Sequence, residues 1–298
     1  MRRSLVSAAM PTVVVTGATR GIVHAAAVEL ARRGAELAVV GRDAERVRAT
    51  ADAARAAGGD APVHEHVADL ARMDDVRRLA AELLDAHPRI DVLANNAGAM
   101  FTSRHVTPDG FEQTFALNHL APFLLTNLLL DRLTDSHARV VTTASDAHKG
   151  AVLDLDDLQS ERGRFRPGRA YSRSKLCNVL FTRELQRRHP AIAANCLHPG
   201  VIRTGFARNN GMLARIGATL VGPFLRSPET GARSLVWLAV DPAAGELRGR
   251  YVEKEQPVEP TAQAQDDRLA KELWERSEQL TALRTRALGE RPGIDSPT

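Results

Sequence analysis

Thr12-Val13-Val14-Val15-Thr16-Gly17-Ala18-Thr19-Arg20-Gly21-Ile22-Val23 joins a β-branched run to a glycine-bearing turn and the start of a helical pattern. Thr12 to Thr16 reads as a strand, and Ile22 to Arg33 carries helical apolar spacing that stops at Gly34. A turn of this kind lets backbone N–H groups approach a pyrophosphate, and the helix N-terminus adds its positive end. Two glycines alone fit a plain tight turn about as well. The position directly after the first strand is what a dinucleotide fold requires.

The alternation continues outward from this stretch. The spacing predicts strands over Glu36 to Val40, Val63 to Val67, Ile90 to Ala94, Arg139 to Thr143 and Ile192 to Leu197. It predicts helices over Ala44 to Ala57, Met73 to Ala86, 109–133 and 170–188. Strands alternating with helices of this length imply right-handed parallel βαβ units, and so an α/β, Rossmann-like doubly wound parallel sheet. Two long connections, 146–169 and 203–228, interrupt the pattern. Asp266 to Leu288 reads as an amphipathic tail helix. The organisation expected is an N-terminal tail (1–10), one α/β domain (11–255) and a C-terminal helix and tail (256–298).

Composition restricts the functional class. With 44% hydrophobic, 26% charged and only 4% aromatic residues, the chain has the make-up of a globular protein with an aliphatic core. Its net charge of +4 comes without a basic run, so nucleic acid is not an expected partner. Cys177 and Cys196 form neither a zinc pattern nor a disulfide framework and suit a reduced, cytoplasmic protein. No segment approaches the ~20 apolar residues of a membrane span. The apolar stretch from Ser4 to Met10 is too short for a signal peptide, so no stable membrane insertion is expected.

The chemistry is signalled by Tyr171 and Lys175. The chain has 2 tyrosines, and its lysines are Lys149, Lys175, Lys254 and Lys271. The chance expectation for one Tyr-x-x-x-Lys pair is roughly 0.03. Four-residue spacing puts both side chains on one helix face. A phenol beside a fixed ammonium is easier to ionise, which suits proton donation and acceptance. The same spacing also fits a surface helix pair with no chemistry. Context decides between the two: Asn95-Asn96-Ala97-Gly98, Ser145 and Pro199-Gly200-Val201-Ile202-Arg203-Thr204 each follow a predicted strand. Ligands of open α/β sheets bind at those carboxyl ends.

Together these motifs closely resemble the short-chain dehydrogenase/reductase family over residues 11–255. Asn118-His119-Leu120, Asp157-Leu158-Gln159-Ser160-Glu161 and the run Ser174 to Leu185 resemble its retinol dehydrogenase-like and WW-domain-oxidoreductase-like branch. The resemblance implies that Thr16, Gly17, Thr19, Gly21 and Ile22 cradle a dinucleotide, with Asp69 and Leu70 flanking its adenine. It implies that Asn95, Ala97 and Gly98 support the adenosine ribose and the sheet, and that Pro199, Gly200, Ile202 and Thr204 hold the carboxamide. Tyr171 would be the proton donor and Ser145 a hydrogen-bond donor to the reacting oxygen. Lys175 would lower the tyrosine pKa and, with Tyr171, hold the nicotinamide ribose. Asn118 would hold a water linking Lys175 to solvent. Asp69 also reads as a helix N-cap.

Arg20 in the glycine turn and Arg42 after the second strand would grip a 2′-phosphate, which points to NADP(H). Asp43 reads as a helix N-cap rather than a ribose ligand. One position departs from the family pattern: Val23 stands where a third glycine is usual, and its branched side chain could crowd the helix or weaken cofactor binding. Pro122 lacks the N–H that would engage the Asn118 carbonyl in a helix, which would free that oxygen for the relay water. His119, His148 and His198 read as packing residues.

The apolar stretch 203–228 reads as a substrate lid for a bulky hydrophobic ketone, aldehyde or alcohol such as a retinoid, steroid or polyketide. The alternative reading, less favoured, has its arginines touching a membrane surface. The expected activity is an NADP(H)-dependent carbonyl reductase. The alternatives are nucleotide-sugar epimerisation, which needs a substrate domain not evident here, and a non-catalytic NADP(H)-binding sensor or scaffold. Homodimers or homotetramers are implied by the resemblance, through helices matching 109–133 and 170–188.

Overall fold

The structure is a computed structural model that describes residues 10–200 and 228–283. The described residues form an eight-stranded sheet in the order β3-β2-β1-β4-β5-β6-β7-β8. Its strands are β1 (Thr12–Thr16), β2 (Glu36–Gly41), β3 (Val63–Val67), β4 (Val92–Asn95), β5 (Arg139–Thr143), β6 (Ala193–His198), β7 (Tyr251–Glu253) and β8 (Gln256–Val258). All pair in parallel except β7 with β8, which form an antiparallel hairpin. The chain winds outward from β1 to β3 and then resumes on the other side of β1 at β4. The carboxyl ends of β1 and β4 therefore flank the point where strand order reverses, where such sheets bind ligands.

Period-two alternation divides the core between the two faces of the sheet. Val13 and Val15, Leu37 and Val39, and Val92 and Ala94 face one side. Val14, Ala38 and Val40, and Leu93 face the other. The first face is covered by α1 (Gly21–Arg32), α2 (Ala44–Gly58) and α8 (Pro228–Val240). The second is covered by α3 (Met73–Ala86), the segment from Gln113 to Asp135, α7 (Pro167–Arg188) and α9 (Asp267–Leu280).

Several elements depart from the periodicity. The helical region predicted over 109–133 is broken into α4 (Gln113–Phe115), a π-helical turn (Ala116–Leu120), α5 (Ala121–Leu128) and α6 (Leu130–Asp135). The N–H of Ala121 reaches the Ala116 carbonyl across the π turn, and Pro122 follows at the start of α5. Helix α7 begins at Pro167 rather than 170, because proline suits the first helical turn. The sheet runs through β8 to Val258, so the boundary expected at 255 falls inside a hairpin. That hairpin is too short to stand out by periodicity. The tail helix runs over Asp267–Leu280, with 284–288 of its predicted span lying outside the described residues, and Asp266 caps its N-terminus by accepting from the Arg268 and Leu269 N–H groups.

Helix α9 docks through aromatic packing. Trp274 stacks on Phe181 of α7 at 5.9 Å and meets Phe123 of α5 edge-on at 5.0 Å. The Arg188 guanidinium lies 4.9 Å from the Trp274 ring centroid. No helix among the described residues is long and apolar enough to cross a membrane.

Candidate active site

The glycine turn is held against the next strand end by Thr16. Its hydroxyl donates to the Ala94 carbonyl at 3.1 Å and accepts from the N–H groups of Asn96 and Ala97 at 3.0 and 3.2 Å. Gly17 has φ +71, and a Cβ there would lie 2.8 Å from the Ala97 Cα, so only glycine allows the two turns to meet this closely. Gly21, at φ +55, opens α1, and Arg20 gives it no side-chain cap. The first N–H groups of an α-helix have no acceptor within it. An uncapped helix start behind a close glycine turn fits a pyrophosphate. Ile22 and Val23 are half-buried and pack against the first-face core, so the branched side chain is absorbed by packing on the sheet side.

Gly41 was not singled out in the sequence, yet it sets how closely Thr19 approaches β2. A Cβ there would sit 2.4 Å from the Thr19 Cγ2. Thr19 thus rests on the end of β2, which brings their neighbours Arg20 and Arg42 to the same edge, both exposed. Asp43 is committed as the N-cap of α2, accepting from the Arg46 N–H at 3.2 Å. Asp69 is not a helix cap: its carboxylate accepts from the Ala71 N–H at 3.1 Å in a local turn, because α3 starts four residues later at Met73. Leu70 is buried beside it. A cavity of about 330 Å³ lies alongside, lined by residues that include Asp69, Phe101, His105 and Pro108.

The reacting end is assembled from β5, α7 and the π turn. Ser145 follows β5 and caps a 3₁₀ turn, accepting from the Ala147 N–H at 3.2 Å. His148 Nδ1 donates to the Ser145 carbonyl at 2.7 Å, and the ring packs edge-on against Tyr251 at 4.9 Å. Tyr171 is hydrogen-bonded to the Ser145 side chain. Burial raises the phenol above its ordinary value and the Ser145 bond pulls it partly back. The lowering expected from Lys175 is therefore not what the surrounding side chains produce. The buried Lys175 ammonium is itself pushed down to about 8 by desolvation. Its Nζ lies 5.6 Å from the Tyr171 ring centroid and donates to the Thr143 carbonyl at 2.9 Å.

Asn118 is fully buried and its side chain is occupied. Oδ1 accepts from the Ala99 N–H at 2.8 Å, and Nδ2 donates to the Ala99 carbonyl at 3.0 Å and to Ser174 Oγ at 2.9 Å. Ser174 in turn donates to the Tyr171 carbonyl at 2.7 Å. The expected water site is thus left to the Asn118 backbone carbonyl. Pro122 offers that carbonyl no N–H in α register, and offers none to Leu117 in π register. Gly98 closes the group, for a Cβ there would lie 3.1 Å from Asn118 Oδ1 and 3.4 Å from Lys175 Nζ. Asn95 is buried and donates to Thr126 Oγ1 at 3.0 Å.

Thr143, Ser174 and Asn178 join this group without having been predicted. Asn178 donates to the same Thr143 carbonyl at 3.1 Å. Its position three residues after Lys175 is a same-face signal; the backbone carbonyl of Thr143 carries no sequence signal at all. Pro199 and Gly200 follow β6, with Gly200 at φ +87. Ile202, Thr204 and the expected lid over 203–228 lie outside the described residues, apart from Pro228. His119 is buried, held neutral with its pKa near 3 by desolvation, and bonded to Ser277 Oγ at 2.9 Å, as a packing residue. His198 Nδ1 accepts from the Asp146 N–H at 3.3 Å.

The family described as short chain dehydrogenase matches residues 11–212. A putative daunorubicin C-13 ketoreductase, DnrU, of Streptomyces sp. (strain C5) is 42% identical over 268 residues, covering 89% of this chain and 91% of that protein. Retinol dehydrogenase 13 of Homo sapiens is 38% identical over 289 residues, covering 94% and 87%. A crystal structure of a putative uncharacterized protein from Mycobacterium Paratuberculosis superposes with a TM-score of 0.74 at 37% identity, covering 92% of this chain and 96% of that one.

Proposed function

Given that the chain belongs to the short-chain dehydrogenase/reductase family, in its retinol dehydrogenase-like branch, we propose that it is an NADP(H)-dependent reductase of bulky hydrophobic ketones or aldehydes. Membership makes it an oxidoreductase acting on CH–OH or C=O with a nicotinamide cofactor. The observation that carries the finer reading is the Ser145–Tyr171–Lys175 group at the carboxyl edge of β5. A nicotinamide held at this edge would supply the hydride.

The chain's own residues supply the proton and the positioning. Burial keeps Tyr171 protonated at neutral pH, the form needed to give a proton to a forming alkoxide. Ser145 donates a hydrogen bond to the same oxygen, held by His148 through its carbonyl. The cationic Lys175 favours the phenolate once the proton has left. Arg20 and Arg42 flank the Thr19–Gly41 contact and suit a 2′-phosphate, while Asp43 is engaged elsewhere. The names of the two relatives, a putative daunorubicin C-13 ketoreductase and a retinol dehydrogenase, support a large apolar substrate. The buried, unpaired Cys177 and Cys196 suit a reducing, cytoplasmic setting.

Consumption of NADPH with a panel of polycyclic and long-chain ketones tests the reading. Turnover should appear in the wild type and fall by roughly 10²–10⁴ in Tyr171→Phe, the usual contribution of a general acid, while NADPH still binds. Binding without turnover on any carbonyl would instead support a non-catalytic sensor.

A further inference from the structure

The amino ends of the strands, opposite the cofactor edge, hold a second group of convergent side chains. Glu36 opens β2, His64 lies in β3, and His87 closes α3. Glu36 Oε1 is 3.0 Å from His87 Nδ1 and 3.3 Å from His64 Nε2. One ligand atom from each of the three lies within 4.8 Å of the others. We propose that Glu36, His64 and His87 form a zinc(II) site, with solvent as the fourth ligand, that staples β2, β3 and the end of α3.

The geometry suits that ion. Ligands about 2.0–2.1 Å from a tetrahedral zinc stand roughly 3.3 Å apart, close to the two separations found. Two imidazoles and one carboxylate select zinc over magnesium or calcium, which prefer oxygen. His87 is 1% exposed at its side chain, while Glu36 is 24% and His64 42% exposed, so the site is anchored inside and open on one side. His87 Nε2 is buried and finds no partner among the described residues, so the ring's polar contact is made through Nδ1, toward the cluster. Period-two alternation turns His64 and His66 to the α3 side, where His66 Nδ1 stands 3.4 Å from Glu82. Five further residues of β2, roughly 17 Å of strand, separate Glu36 from the cofactor edge, so the role is structural.

A hydrogen-bonded trio without metal is the competing account. So is zinc at Asp146, His198 and Glu253, whose ligand atoms also converge. There, however, Asp146 is already engaged by Lys149 at 2.6 Å and by the Tyr251 hydroxyl at 2.9 Å. Zinc titration of the full, tag-free chain by calorimetry, with thermal unfolding in parallel, separates these. One zinc per chain should bind, raising Tm by roughly 5 °C at about a hundredfold excess over Kd, with no response to magnesium. His64→Asn and Glu36→Gln should each weaken binding at least about tenfold, the loss that removing even an outer-shell partner causes. His198→Asn should bind as the wild type does. Cobalt(II) should give four-coordinate visible bands that His64→Asn abolishes. The near-isosteric Glu36→Gln keeps the test valid independently of how His64→Asn folds. Absence of one-to-one binding, binding unchanged in both Glu36 and His64 variants, or loss on His198→Asn overturns the proposal.

Discussion

The Lys175 ammonium lies over the face of the Tyr171 ring, 5.6 Å from its centroid, while its hydrogen bond goes to the Thr143 carbonyl 2.9 Å away. Ammonium and phenol are thus adjacent, with the lysine fixed by the sheet rather than by the tyrosine.

The burial that fixes Lys175 also makes it titratable. Its pKa near 8 means the cation is present below that pH and lost above it. The pH profile of kcat/KM reports the free enzyme, so a basic limb should appear near pH 8. Stability should follow the opposite sign. A lysine with a depressed folded pKa destabilises the fold fully below about 8, and the penalty vanishes as pH rises toward the unfolded value near 10.4. Lys175→Met should therefore abolish turnover yet gain on the order of 1–3 kcal/mol at pH 7, shrinking toward pH 10. Denaturant midpoints across that range check it.

Arg42 is exposed at the end of β2 beside the Thr19–Gly41 contact. Arg42→Ala should weaken NADPH binding roughly 10–100-fold, the worth of a charge-assisted hydrogen bond, and leave NADH affinity nearly unchanged. Fluorescence titration of both cofactors reads the difference. Equal losses for the two would show that the arginine does not contact a 2′-phosphate.

Pro122 follows a π turn in which the Ala121 N–H bonds the Ala116 carbonyl. Pro122→Ala restores an N–H that can compete for the Asn118 carbonyl. Turnover should drop several-fold and its pH profile should shift, while the far-ultraviolet circular dichroism stays unchanged. An unaltered rate and profile would remove the carbonyl from the proton relay.

Trp274 joins α9 to Phe123 and Phe181 on the second face. Trp274→Ala should cost about 3–5 kcal/mol, as large-to-small aromatic changes in cores do. Helix α9 covers part of α7, the surface the family resemblance assigns to subunit contacts. Light scattering should show that self-association rises in Trp274→Ala as that face is uncovered.

Local pattern carried most of the fold. The run from Thr12 to Val23 dictates strand, turn and helix because alternation and glycine punctuation act between near neighbours. Tyr171 and Lys175 were legible for the same reason: four residues make one helical turn. Ser145 and the Asn95 to Gly98 turn were placed by their position after strands. Tertiary structure alone decided what those groups face. Only the registry of β5 against α7 sends Lys175 to the Thr143 carbonyl, and only packing against Ala99 and Ser174 engages the Asn118 side chain. Burial reversed the expected shift on Tyr171, and burial is a property of the packed molecule. Glu36, His64 and His87 meet for a comparable reason: parallel strands align residues distant in sequence, and a helix end closes over them. Periodicity fixes which side of an element a residue occupies, but long-range register and packing determine its neighbour and the dielectric around it.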